Sequence, residues 1–180
     1  MKNRVSVPSL ILALLLCGVA GAQDFTAGTF HSYKGIGLTF QTGFEDPEEF
    51  NTFTLYAEMS GLYSGKEGRP GVKFNYSHNH RIVKFDSKDQ SNIHLYLGPG
   101  ATVGYVKDNG RDSYGIAAAL SGTIGIEAAF LEKRCLITLG FTIEAGSYMF
   151  RDKGSLSFVL YRDGFYQAVY PQITVSYVFK

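Results

Sequence analysis

From residue 35 onward, apolar and polar positions alternate with a period of two. Over 35–44 one face carries Ile36, Leu38, Phe40, Thr42 and Phe44, and the other Gly35, Gly37, Thr39, Gln41 and Gly43. Over 92–106 the apolar set is Ile93, Leu95, Leu97, Pro99, Ala101, Val103 and Tyr105, opposite His94, Tyr96, Gly98, Gly100, Thr102 and Gly104. Segments 114–130, 135–149 and the chain end, where Ile173, Val175, Tyr177 and Phe179 face away from Gln172, Thr174 and Ser176, repeat the pattern. Successive strand residues point to opposite faces, so this periodicity predicts β-strands. They are expected over 35–44, 52–63, 71–85, 92–106, 114–130, 135–149, 155–161 and 165–179. Connections such as Lys107-Asp-Asn-Gly-Arg-Asp112 and Arg151-Asp-Lys-Gly154 separate them, with Gly, Asn and Asp available for turns. No capping box opens a run of period 3.6, so helices are not expected.

The polar face decides what surrounds the sheet. It is crowded with Gly, Ala, Ser and Thr; Gly weakens a strand exposed to water, whereas small residues suit a narrow lumen. Charges avoid the strands and collect in the connections; the exceptions on polar faces are Glu58, Lys73, Arg81, Glu127 and Glu144. A Lys or Arg facing lipid near the midplane costs about 2–4 kcal/mol, a penalty that a water-soluble sheet does not face. The expected fold is therefore all-β: an antiparallel up-and-down transmembrane β-barrel of about eight strands, polar inside and apolar outside. Phe44, Tyr63, Tyr105, Phe130, Tyr148, Tyr177 and Phe179 fall near strand ends and are candidates for interfacial aromatic girdles.

Residues 1–22 read as a cleaved secretory signal peptide. Lys2 and Arg4 precede the apolar run Leu10–Leu16, and Ala20-Gly21-Ala22 forms a small-residue cleavage site. Cys17 follows the large Leu16, which argues against a lipoprotein. The mature domain is then 23–180, a single barrel by length. One cysteine, Cys135, remains in it, so no internal disulfide can form. The 180-residue chain has a net charge of +1 and a mean hydropathy of −0.02. That composition excludes a polytopic helical membrane protein and gives no nucleic-acid footprint. Glycine contributes 21 residues, well above an average of roughly 7%.

Two arrangements keep eight strands. The preferred one uses the segments above and places Glu132-Lys-Arg134 outside the cell. The alternative makes that tight connection periplasmic, turns 150–164 into an extracellular hairpin extension, and splits 25–44 near Lys34-Gly35. Short periplasmic turns are the usual pattern.

The leader, the segments Tyr96-Leu-Gly-Pro-Gly-Ala-Thr-Val-Gly-Tyr105 and Gly125-Ile-Glu-Ala-Ala-Phe130, and the terminal Tyr170-Pro-Gln-Ile-Thr-Val-Ser-Tyr-Val-Phe179 together resemble the small outer-membrane β-barrel proteins of Bacteroidetes. The resemblance covers most of the mature chain. It implies an outer-membrane location, contact with outer-membrane lipids and lipopolysaccharide, and a last strand read by the barrel-insertion machinery through Tyr177 and Phe179. Lys180 after Phe179 departs from barrels that end on Phe itself.

Little in the sequence points to catalysis. Ser77 and His78 in Asn75-Tyr-Ser-His-Asn-His80 suggest a nucleophile and base, but adjacent strand residues face opposite ways. His78 and His80 share a face, yet two histidines without a third ligand do not define a metal site. No catalytic residue, cofactor or metal is therefore expected. Glu58, Lys73, Arg81, Glu127 and Glu144 are the candidate functional cluster, paired within the lumen because unpaired buried charge is expensive. The expected role is structural or surface-interacting, with a side-chain-filled lumen. The alternatives are an outer-membrane enzyme acting on lipid A or phospholipid, and a soluble periplasmic ligand-binding barrel.

Overall fold

The computed structural model describes residues 25–43, 46, 48–59, 70–86, 92–107, 114–131, 133–152, 155–160 and 169–179. The proposed leader 1–22 lies outside them. Nine strands form: β1 (Phe25–Ser32), β2 (Gly35–Thr42), β3 (Glu49–Glu58), β4 (Gly71–Asp86), β5 (Asn92–Lys107), β6 (Tyr114–Phe130), β7 (Cys135–Asp152), β8 (Ser155–Leu160) and β9 (Val169–Phe179). There are no helices among the described residues.

Each strand from β1 to β7 pairs antiparallel with the next, and β9 pairs with both β7 and β1. The wall is thus a closed eight-stranded barrel. β8 pairs only with β7, Ser147 to Asp152 opposite Leu160 to Ser155, and extends one hairpin beyond the wall. The register that leaves β9 at Val178, through Thr26, Gln41, Thr52, Ser77, Gly100 and Ser121, returns at Glu144 of β7, beyond the Val169 end of β9. The strands are therefore strongly tilted, as closure of a small barrel requires.

The alternative strand arrangement is the observed one. Residues 25–42 split into β1 and β2 at Tyr33-Lys34, and 155–160 is the hairpin extension. The preferred arrangement fails because it counted that hairpin as a wall strand and missed β1. The connection 131–134 lies at the same end as the start of β1 and the end of β9. It is also not the tightest: Tyr33-Lys34 spans two residues, with Ser32 Oγ accepting from the N–H groups of Lys34 and Gly35 at 3.1 and 3.3 Å. Nor does 131–134 use turn-forming residues, since Leu131 and Lys133 take up the left-handed conformation themselves (φ 51° and 65°).

The alternation is real and sets the faces. In β6 every second residue from Gly115 to Ala129 is buried, while Ile116, Leu120, Ile124 and Ile126 are exposed. A bulge between Arg81 and Val83 inserts Ile82 and re-phases β4. Large aromatics also point inward: Phe30, Phe50, Tyr56, Tyr96, Tyr148, Phe150 and Tyr170 are all buried. Small residues opposite make room. A Cβ on Gly125 would lie 2.6 Å from the Tyr96 hydroxyl, so the ring occupies the space a side chain would need. Tyr148 is thus no girdle residue; its hydroxyl donates to the Val106 carbonyl at 2.7 Å. Tyr105, Phe130, Tyr177 and Phe179 are exposed on the outer wall. Phe44 and Tyr63 lie outside the described residues.

Candidate functional site

The five charged residues singled out from the sequence all meet lumen partners, but they divide into two groups. Toward the Tyr33-Lys34 end, Glu144 of β7 is the hub. Its Oε2 lies 3.1 Å from Lys34 Nζ and 3.4 Å from Lys73 Nζ. Its Oε1 accepts from Thr102 at 3.1 Å and from the Tyr170 hydroxyl at 2.9 Å. Lys73 also bridges to Glu58 at 3.2 Å, and Lys34 stands 4.2 Å over the Tyr170 ring. Two lysines thus face two carboxylates, and Glu144 at 1% exposure has both oxygens satisfied.

The second group lies toward the termini. Arg81 Nη2 and Nε reach Glu127 Oε1 at 2.8 and 3.2 Å. Gln41 donates to the other oxygen at 3.0 Å, and His94 Nδ1 stands 3.7 Å from Oε1. The guanidinium lies over the Phe50 ring, 4.6 Å from its centroid, and donates to the Asp46 carbonyl. Asp46 in turn caps the start of β3. Its Oδ1 accepts from the backbone N–H groups of Glu48 and Glu49 at 2.7 and 3.1 Å, which holds that carboxyl below the usual carboxylate range.

Neutral hydrogen bonds fill the space between the groups. Asn75 donates to Thr102 at 2.8 Å and to Ser121 at 3.1 Å, and Thr123 and Thr142 lie 2.9 Å apart. Sequence reasoning missed Lys34, Gln41, Tyr170 and His94 as members. Lys34 sits in a turn with no periodicity to place it, and the rest are partners only because the closed wall brings β2, β5 and β9 around one axis.

Ser77 faces the lumen, where its Oγ accepts from Asn79 at 3.1 Å, while His78 and His80 face outward. No nucleophile–base pair exists between Ser77 and His78.

No protein-family model and no curated protein matches the chain. Among solved structures, a major outer membrane protein from Thermus thermophilus superposes with a TM-score of 0.55 at 12% identity, over 87% of this chain and 99% of that one. The fold is that of an outer-membrane β-barrel. Neisserial surface protein A aligns at 13% identity and a TM-score of 0.43, over 86% of this chain and 92% of the other.

Within that fold, paired opposite charges, one fully hydrogen-bonded carboxylate at each level and interleaved aromatic rings make a rigid polar plug. Such a plug ties strands from all sides of the wall to a common interior.

Proposed function

We propose that this chain is a small integral outer-membrane protein with a structural or surface-interacting, non-catalytic role. The observation that carries the reading is the inverted polarity of the barrel. Leu120 is 75% exposed on the outer wall, whereas Glu127 and Glu144 are each 1% exposed inside it. Lipid is the solvent in which that arrangement is favourable. A soluble barrel with its apolar face inward is the reverse of what is observed. Against a lipid-modifying hydrolase stands the separation of Ser77 and His78 by the wall itself.

The end where β1 starts and β9 finishes, with connections at 43–48, 87–91 and 131–134, is assigned to the periplasm. The connection 59–70 and the β7–β8 hairpin then face the exterior. This orientation calls for secretion by the leader 1–22, contact with lipid and lipopolysaccharide around the belt, and recognition of Tyr177 and Phe179 on β9 by the insertion machinery. The attribution to Bacteroidetes rests on the sequence resemblance.

The expressed protein should fractionate with outer membranes and migrate faster on SDS gels before boiling than after. Release in soluble form by osmotic shock overturns the reading. A charge on the belt gives a second check. Leu120→Arg, near the middle of β6, should lower stability by about 2–4 kcal/mol in reversible unfolding from lipid vesicles. In a soluble barrel such a surface change would move stability by no more than about 0.5 kcal/mol.

A further inference from the structure

One part of the outer wall departs from the apolar pattern. Along β3 and β4 toward the termini, the outward pairs run Leu55 with Phe74, Phe53 with Tyr76, Asn51 with His78, and Glu49 with His80. The geometry points to a divalent-metal site at this corner, formed by Glu49, His78 and His80 and suited to Zn2+.

Two imidazole nitrogens and one carboxylate oxygen are a zinc-binding set that leaves a fourth position for water. One ligand atom from each residue lies within 4.8 Å of the others. His80 Nδ1 is 3.3 Å from Glu49 Oε1, and His78 Nε2 is 3.6 Å from Glu49 Oε2. Ligands held about 2.0–2.1 Å from a tetrahedral zinc are roughly 3.3–3.4 Å apart, and each imidazole nitrogen already stands near that distance from one oxygen of the shared carboxylate, His80 from Oε1 and His78 from Oε2.

The supporting contacts favour the same atoms. His78 Nδ1 lies 2.9 Å from Asn51 Oδ1, and an amide oxygen can only accept. The Nδ1 atom therefore carries the proton, and Nε2 presents its lone pair toward Glu49. The Tyr76 hydroxyl donates to the same Asn51 oxygen at 2.9 Å and fixes the amide. Such an outer contact orients an imidazole ligand and sets its tautomer. The two rings meet edge to face, 4.8 Å apart at 87°. All three side chains are open to an incoming ion, at 37%, 46% and 51% exposure. The histidines alone lacked a third ligand; the antiparallel register supplies it by placing Glu49 opposite His80.

The test is calorimetric titration of the untagged, detergent-folded mature chain with Zn2+ in a non-chelating buffer. One equivalent should bind. Glu49→Gln, His78→Ala and His80→Ala should each weaken binding 100-fold or more, and Asn51→Ala by about 10–100-fold. His31→Ala, on the exposed outer face of β1, should leave affinity unchanged. Heat-modifiable migration shows that each variant is folded. Substoichiometric binding, or undiminished affinity in the His78→Ala/His80→Ala double variant, overturns the site. In the unaltered protein, Zn2+ should shift the imidazole signals of His78 and His80 and spare His31; equal shifts at all histidines overturn it without any variant.

Discussion

Removing Tyr177–Lys180 should abolish the heat-modifiable membrane form. β9 is the strand that closes the wall, hydrogen-bonded to β1 on one side and β7 on the other. Tyr177 lies opposite both Ala27 and Cys135, and the Phe179 ring stacks on Phe25 with centroids 4.9 Å apart. Val178 is buried between them and its N–H donates to the Arg134 carbonyl at 2.9 Å. Truncation therefore opens two strand edges at the terminus end, and unpaired backbone groups are not tolerated against lipid. The expected outcome is protein captured by periplasmic proteases. A second variant separates closure from recognition. Tyr177→Ala with Phe179→Ala keeps the backbone ladder and removes only the side chains. Loss of assembled protein in that variant too would locate the insertion signal in the aromatic pair. Unchanged yield of heat-modifiable protein from the truncation would show that neither closure nor the signal depends on these residues.

Arg81→Met should lower the unfolding midpoint clearly. The pair with Glu127 is almost solvent-free, its side chains 1% and 2% exposed. Losing the guanidinium leaves Glu127 with Gln41 and the more distant His94. Breaking a buried pair from one side costs about 3–5 kcal/mol, mostly the penalty of an uncompensated charge. Glu127→Gln added to Arg81→Met should recover much of it. Glu144→Gln should not, because Glu144 belongs to the group around Lys34 and Lys73 and shares no hydrogen bond with Arg81. A double-mutant cycle on denaturant unfolding reads this directly, with coupling expected between Arg81 and Glu127 and near-additivity between Arg81 and Glu144. Additivity for Arg81 with Glu127 would mean that the pair does not form in the folded protein.

What the sequence shows well is what depends on neighbours two residues away. Strand identity, the two faces of β5, β6, β7 and β9, and the inversion that puts Gly, Ser, Thr and charge inside all follow from local alternation. Alternation fails where an inward residue is aromatic and an outward one polar. β1 buries Phe30 and exposes His31, and the start of β3 buries Phe50 between Glu49 and Asn51, so the preferred count left β1 out and β3 seemed to begin at residue 52. Such residues are legible only once the Gly and Thr positions across the lumen are known.

By itself, then, the sequence determined most of the wall strands, the polarity of their faces and five of the charged residues that turn inward, because period-two geometry and the cost of charge in lipid act at each position separately. Closure, tilt and register decided the rest. They set which strand joins β9 at the seam and divided the charges into a Glu144 group and a Glu127 group. They also brought Lys34 from a turn to a carboxylate in the sequence-distant β7, and set Glu49 beside two histidines. Those contacts depend on how a tilted sheet returns on itself, and no stretch of chain carries that information alone.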